Sequence, residues 1–147
     1  MVQPPAGAVQ AIRSWLRLDI AFAQFNRYLQ RTYGVTGAQL AMLRLIQEAD
    51  PVTLATLRTQ LAMHPATLGQ LVARLEKLRL VQLSPAPHDR RQRLVSVTDE
   101  GRHLVERAPV AGPIRLRRIA GDEAHLWALA QAFEEAVHDF GLEEWAP

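Results

Sequence analysis

Cysteine is absent from the 147 residues. That absence removes disulfides, thiolate metal ligands, cysteine nucleophiles and cysteine redox sensing together. Serine is nearly as scarce, with Ser14, Ser84 and Ser96 only, and none sits in a glycine-flanked elbow of the kind a serine nucleophile uses. The eight glycines never form a G-x-G, so neither a dinucleotide loop nor a phosphate-binding Walker loop is available. The five histidines, at 64, 88, 103, 125 and 138, show no H-x-x-x-H or similar close pairing, and no metal site is expected. No apolar run approaches the roughly 20 residues needed to span a bilayer. The stretch MVQPPAGAVQ has neither the basic flank nor the apolar core of a signal peptide, so a cytoplasmic location is the expectation. With no clustered nucleophile, base or metal set, neither an enzyme nor a bound cofactor is expected.

What the chain does have is an uneven charge. Residues 52–98 carry Arg58, Arg74, Lys77, Arg79, Arg90, Arg91 and Arg93 against Glu76 and Asp89 alone. Residues 119–147 carry seven acids and no Lys or Arg. A basic middle beside an acidic tail suits a polyanionic partner that touches only the middle. Nearly all of the positive charge is arginine, Lys77 being the one lysine, and arginine pairs bidentately with phosphate and guanine.

The length suits one compact domain, and a hydrophobic fraction of 48% suits a globular core. Segment 8–33 reads as one helix, with Ile12, Trp15, Leu16, Ile20, Phe25 and Leu29 at helical spacing and Gly34 to stop it. Its apolar residues cover more than one stripe, so a second subunit is expected to cover the surplus. Thr36 and Gln39 have capping-box spacing ahead of a second helix, which Asp50-Pro51 ends. Thr53 caps a short third helix. His64-Pro65 opens a fourth, with Leu68, Val72 and Leu75 on one face and Thr67, Gln70, Arg74 and Lys77 on the other. Two short strands, 80–83 and 93–97, flank the basic loop SPAPHDRRQ. Thr98-Asp99-Glu100 starts a fifth helix, which Pro109, Gly112 and Pro113 must interrupt between about Ala108 and Ile114. A sixth helix is expected over about Asp122 to Phe140. The fold class is mainly α with a small two- to three-stranded wing.

Helices three and four have the helix-turn-helix layout. The fourth helix can enter a major groove about 12 Å wide with its N-terminal side chains at base edges, and an arginine of the wing can reach the adjacent minor groove. Three stretches carry a family resemblance: GVTGAQLAMLRLI, LRTQLAMHPATLGQLVARLEKLRLV and HDRRQRLVSVTDEG. Arg74-Leu75-Glu76-Lys77 followed by Leu80-Val81, then Asp89-Arg90-Arg91, then Thr98-Asp99-Glu100-Gly101, resembles the pattern of the multiple antibiotic resistance regulator (MarR) family. Pro65 and Gly69 stand where that family often has polar residues, and Arg79 stands where it usually has glycine.

The resemblance implies a single domain over 1–147, with 8–33 and 99–147 as a helical dimerisation region and 36–98 as a winged helix-turn-helix lobe. It implies a homodimer on a pseudo-palindromic operator of double-stranded DNA, in most members acting as a repressor, with no membrane partner. Pro65, Ala66, Thr67, Gln70, Arg74, Arg90, Arg91 and Arg93 become the DNA-binding candidates. Of these, Thr67 and Gln70 are the base-edge readers, Arg91 the minor-groove arginine, and Arg90 and Arg93 phosphate contacts. Asp89 carries the wrong sign for DNA and is expected to structure the wing by pairing with Arg74 or Arg91. The family's small aromatic, often phenolic, acid ligand would lie between dimer helices and DNA lobe, which makes Trp15, Arg17 and Met42 the ligand candidates. The opposing reading is a winged-helix module that binds protein, with its basic wing incidental; steep weakening by salt marks DNA binding instead.

Overall fold

The structure is a computed structural model that describes residues 3–119 and 121–146. Met1, Val2, Ala120 and Pro147 lie outside it, and with them the two extremes of the domain expected over 1–147.

Helix α1 runs Ala6–Tyr33 and stops where Gly34 turns left-handed at φ 71°. Helix α2 spans Gly37–Glu48 behind a complete capping box: the Thr36 hydroxyl accepts from the Gln39 amide, and the Gln39 side chain accepts from the Thr36 amide. A two-residue strand, β1 (Val52–Thr53), leads into α3 (Leu54–Leu61), whose first turn is capped by the Thr53 hydroxyl. Ala62, left-handed at φ 47°, makes the turn into α4 (Pro65–Lys77). Strands β2 (Val81–Pro85) and β3 (Arg93–Val97) form the wing. The sheet is antiparallel in the order β1-β3-β2, with Val52 opposite Val95 and Val81 opposite Val97.

Between α4 and β2 the chain makes a Schellman turn, in which Arg79 N–H donates to the Glu76 carbonyl and Leu80 N–H to that of Leu75. The turn puts Arg79 at φ 60°, the left-handed region that glycine enters without strain. That geometry explains why a glycine would be suited to this position.

Helix α5 (Asp99–Arg107) follows the wing, with Thr98 as its cap. Its last helical bond is Ala108 N–H to the Leu104 carbonyl. Pro109 cannot donate the next one and forces Ala108 to an extended ψ of 144°. Gly112 then takes φ 81°, and Pro113–Arg118 wind as a 3-10 turn before α6 (Glu123–Asp139). The interruption falls where the prolines require it; the 3-10 turn inside it has no sequence signal of its own.

The core lies in the α2–α4 lobe and the sheet: Leu40, Leu43 and Ile46 of α2 meet Leu57, Leu68, Val72, Leu75, Val81, Val95 and Val97. Only the C-terminal end of α1 joins it, through Leu29. Asp50 ties the end of α2 to the rest, accepting from the Val97 amide at 3.1 Å through Oδ1 and pairing with Arg102 at 3.2 Å through Oδ2. Elsewhere large apolar side chains face outward. Val9, Ile12, Leu16 and Ile20 of α1 are between 43% and 53% exposed, and Trp127 of α6 is 73% exposed. These side chains are left uncovered by the rest of the chain.

Candidate nucleic-acid interface

Helix α4 is held by its apolar face. Leu68, Val72 and Leu75 are buried, which turns Pro65, Ala66, Gly69, Gln70, Arg74 and Lys77 outward. Thr67 is half-buried at the edge of that exposed face. His64 precedes the helix, and its Nδ1 accepts from the Ala66 amide at 3.2 Å, one of the donors that a helix start leaves free. Pro65 at the first helical position costs nothing there, because its missing donor would have had no acceptor.

The wing loop is shaped by Asp89. Its Oδ1 accepts from the Arg91 amide at 3.0 Å and from Arg91 Nε at 3.4 Å, while its Oδ2 accepts from the Gln92 side chain at 3.5 Å. Of the two pairings open to Asp89, the geometry contains the one with Arg91. The Gln92 amide also donates to the Asp89 carbonyl at 2.9 Å, closing the turn. Asp89 pairs with one of the three wing arginines, yet the Arg91 side chain remains 94% exposed, and Arg90 and Arg93 are exposed as well.

Between α3, α4 and the wing lies a groove of about 260 Å³ to which Arg58, Pro65, Gly69, Arg91 and Arg93 contribute. The fold therefore brings Arg58, from the first helix of the helix-turn-helix, beside the wing arginines 33 and 35 positions later. Arg58 counted toward the basic middle in the sequence, but nothing local to α3 marks it as a site residue. Arg74, Arg90 and the exposed polar face of α4 do not line this groove.

A larger cavity, about 930 Å³, opens between α2, α5, the 3-10 turn and α6. Arg44, Arg117 and Arg118 stand at its polar side and Leu126, Leu129 and Phe133 at its apolar side. Arg117 is engaged by Glu48. Arg44 is only 8% exposed and donates through Nη2 to the carbonyls of Ala108, at 2.9 Å, and Pro109, at 3.4 Å. Arg44 thereby bonds two carbonyls that the Pro109 break leaves without a helical partner, just past the end of α5. Burial, together with the neighbouring Arg118, lowers the Arg44 pKa from its ordinary value. No local motif in the sequence marks Arg44, whose partners lie 64 and 65 positions away.

The three ligand candidates stand elsewhere. Met42 is sealed in the core at 3% exposure, Trp15 lies edge-on to Phe140 with ring centroids 6.0 Å apart, and Arg17 is exposed on α1; none lines either cavity. No group of three or more His, Asp or Glu residues able to hold a metal occurs among the described residues. No helix there is long and apolar enough to cross a membrane.

Residues 33–92 match the sequence profile of the MarR family. The chain is 30% identical over 97 residues to the transcriptional regulator HosA of Escherichia coli O111:H-, covering 63% of this chain and 72% of HosA. It is 36% identical over 72 residues to the HTH-type transcriptional repressor NicR of Pseudomonas putida, over 49% of this chain and 46% of NicR, so that match spans about half of NicR's length. Among solved structures, Sco3205, a MarR family transcriptional regulator from Streptomyces coelicolor in complex with DNA, superposes with a TM-score of 0.64 at 21% identity, over 98% of this chain and 94% of that one. At that identity the likeness speaks for the fold. With its helix-turn-helix, its basic wing and these relatives, the chain belongs to the MarR family of winged-helix transcription regulators.

Proposed function

We propose that this chain represses transcription as a homodimer bound to a pseudo-palindromic operator, and that a small aromatic acid releases it. The observation that carries the reading is the convergence of one exposed helix face with the arginines of the wing. The polar side of α4 faces outward while its apolar side is anchored, Arg91 and Arg93 share a groove with Pro65 and Gly69 of that helix, and Arg90 is exposed on the same loop. Thr67 and Gln70 would meet base edges, with Pro65 and Ala66 in contact at the groove floor. Arg74, Arg90 and Arg93 would meet phosphates, and Arg91 would enter the minor groove. The similarity to NicR, a transcriptional repressor, supports the direction of control.

Residues 36–98 would then form the DNA lobe, and 8–33 with 99–147 the dimerisation region. The uncovered apolar faces of α1 and α6 support that division, since a second copy would remove them from water. The large cavity supports the ligand: Arg44 and Arg118 would take a carboxylate, and Leu126 and Phe133 the ring. Arg44 also bridges α2 to the end of α5, so an anion there would act on the junction between the two regions.

Footprinting on DNA flanking the chain's own gene tests the proposal. A protected segment with two-fold symmetry, lost on adding hydroxybenzoic acids, is expected. Protection of no discrete segment would overturn operator binding, and protection indifferent to every such acid would overturn the ligand.

A further inference from the structure

Gly69 sits in the middle of α4, a 13-residue helix in which glycine is a poor choice, since it gives up more chain entropy on folding than any other residue. A packing reason for it would be a neighbour too close to admit a Cβ. There is none: a Cβ built at Gly69 meets nothing within 4 Å. The contrast with Gly101, whose Cβ would strike backbone, shows that this chain does use glycine for internal close approach where it needs to. At Gly69 the free space lies outside the protein.

That space is the small groove between α3, α4 and the wing. Gly69 lies in it one helical turn after Pro65, and Arg58, Arg91 and Arg93 stand around it. No carboxylate lines it. Arg91 is already engaged by Asp89, which leaves Arg58 and Arg93 without an ion pair among the described residues. The groove therefore combines two exposed guanidiniums with a bare stretch of helix backbone, and its volume of about 260 Å³ admits a phosphate with part of its sugar. Guanidinium forks suit a phosphodiester, and a helix without a side chain at this point lets the strand come closer than any Cβ would.

We propose that this groove seats one backbone phosphodiester of bound duplex DNA, with Gly69 as its floor and Arg58 and Arg93 as its cations. The inference rests on the DNA-binding reading above and adds to it a contact that carries no base information but sets the depth at which α4 lies in the major groove. Gly69 is then a positioning residue, retained against the interest of helix stability.

The test uses the full chain, a random-sequence 30-base-pair duplex and fluorescence anisotropy across a series of salt concentrations, beside thermal unfolding of the same proteins. Gly7, a second helical glycine with nothing within 4 Å of its Cβ, supplies the control. Gly69→Ala and Gly7→Ala should both keep or raise the melting temperature. Only Gly69→Ala should weaken binding, by about tenfold, because the strand is lifted from its seat. Arg58→Gln, at an exposed position, should fold normally and lower the slope of log affinity against log salt by less than about 0.9, the value for one whole phosphate, because Arg93 still faces the same phosphate. Millimolar inorganic phosphate should compete no better than an equal ionic strength of chloride; selective competition would mean a site for free anion and overturn the proposal. Wild-type affinity in Gly69→Ala, or an unchanged salt slope in Arg58→Gln, would overturn the seat while leaving DNA binding intact. A wild-type protein with no salt-dependent binding to any duplex would overturn both.

Discussion

Gly101 packs against the backbone of Leu80 so closely that a Cβ built on it would stand 2.2 Å from the Leu80 carbonyl oxygen and 2.8 Å from a methyl group of Val97. The same carbonyl accepts from the Thr98 amide at 3.1 Å, and the Thr98 hydroxyl donates to the Arg79 carbonyl at 2.7 Å. The start of α5 is thus bolted to the turn between α4 and β2, backbone against backbone. Gly101→Ala should cost about 3 kcal/mol or more, since no flexible side chain is there to move aside. Urea unfolding measures it; a variant within about 0.5 kcal/mol of the parent would contradict the contact.

The same turn offers a substitution in the opposite direction. Arg79 occupies the left-handed C-terminal position of the Schellman turn at φ 60°, where a Cβ is strained. Its side chain is exposed and makes no ion pair among the described residues. Arg79→Gly should raise stability by about 0.5–1 kcal/mol, the relief of strain exceeding the added freedom of the unfolded chain. A fall in the urea midpoint would show that the long side chain contributes packing that its exposure hides.

Ile12 and Ile20 are 53% and 52% exposed in the single chain, so replacing either with Asp should leave an isolated subunit almost untouched. In a homodimer built on α1 each carboxylate would be buried without a partner, at a cost of several kcal/mol. Ile20→Asp should therefore leave a monomer in sedimentation at micromolar concentration, where the parent chain should sediment as the proposed dimer. Unchanged assembly in both variants would move the interface away from α1.

Arg91 and Gln70 separate shape reading from base reading. The Arg91 side chain, 94% exposed on a loop held by Asp89, would read groove width and potential, which many sequences share. Arg91→Ala should weaken binding to most duplexes and flatten the salt dependence. Gln70→Ala should lose about 1–3 kcal/mol on the preferred operator and little on unrelated DNA. Titration of both variants against operator and random duplex at two salt concentrations decides between them. If Arg91→Ala changes neither affinity nor slope, the wing does not touch DNA.

Signals that act within a few residues are legible in the sequence itself. The Thr36–Gln39 box, Gly34, Thr98 and the Pro109 break each satisfy or deny a backbone group three or four positions away, so a one-dimensional pattern contains the whole interaction. The apolar spacing of α4 likewise determines which of its faces turns outward, and the Asp89-Arg90-Arg91 run determines the wing's charge. Only the tertiary structure decided what meets across the chain. β1, two residues long, is too short for any periodicity and exists because Val95 is there to pair with Val52. Arg44 finds the Ala108 carbonyl 64 positions away, Asp50 finds the Val97 amide 47 positions away, and Arg58 comes to stand beside Arg93. Trp15, Arg17 and Met42 lie on α1 and in the core, whereas the large cavity forms between α2, α5 and α6. Such meetings depend on the angles at which whole helices pack, which the core sets collectively and no short stretch of residues encodes.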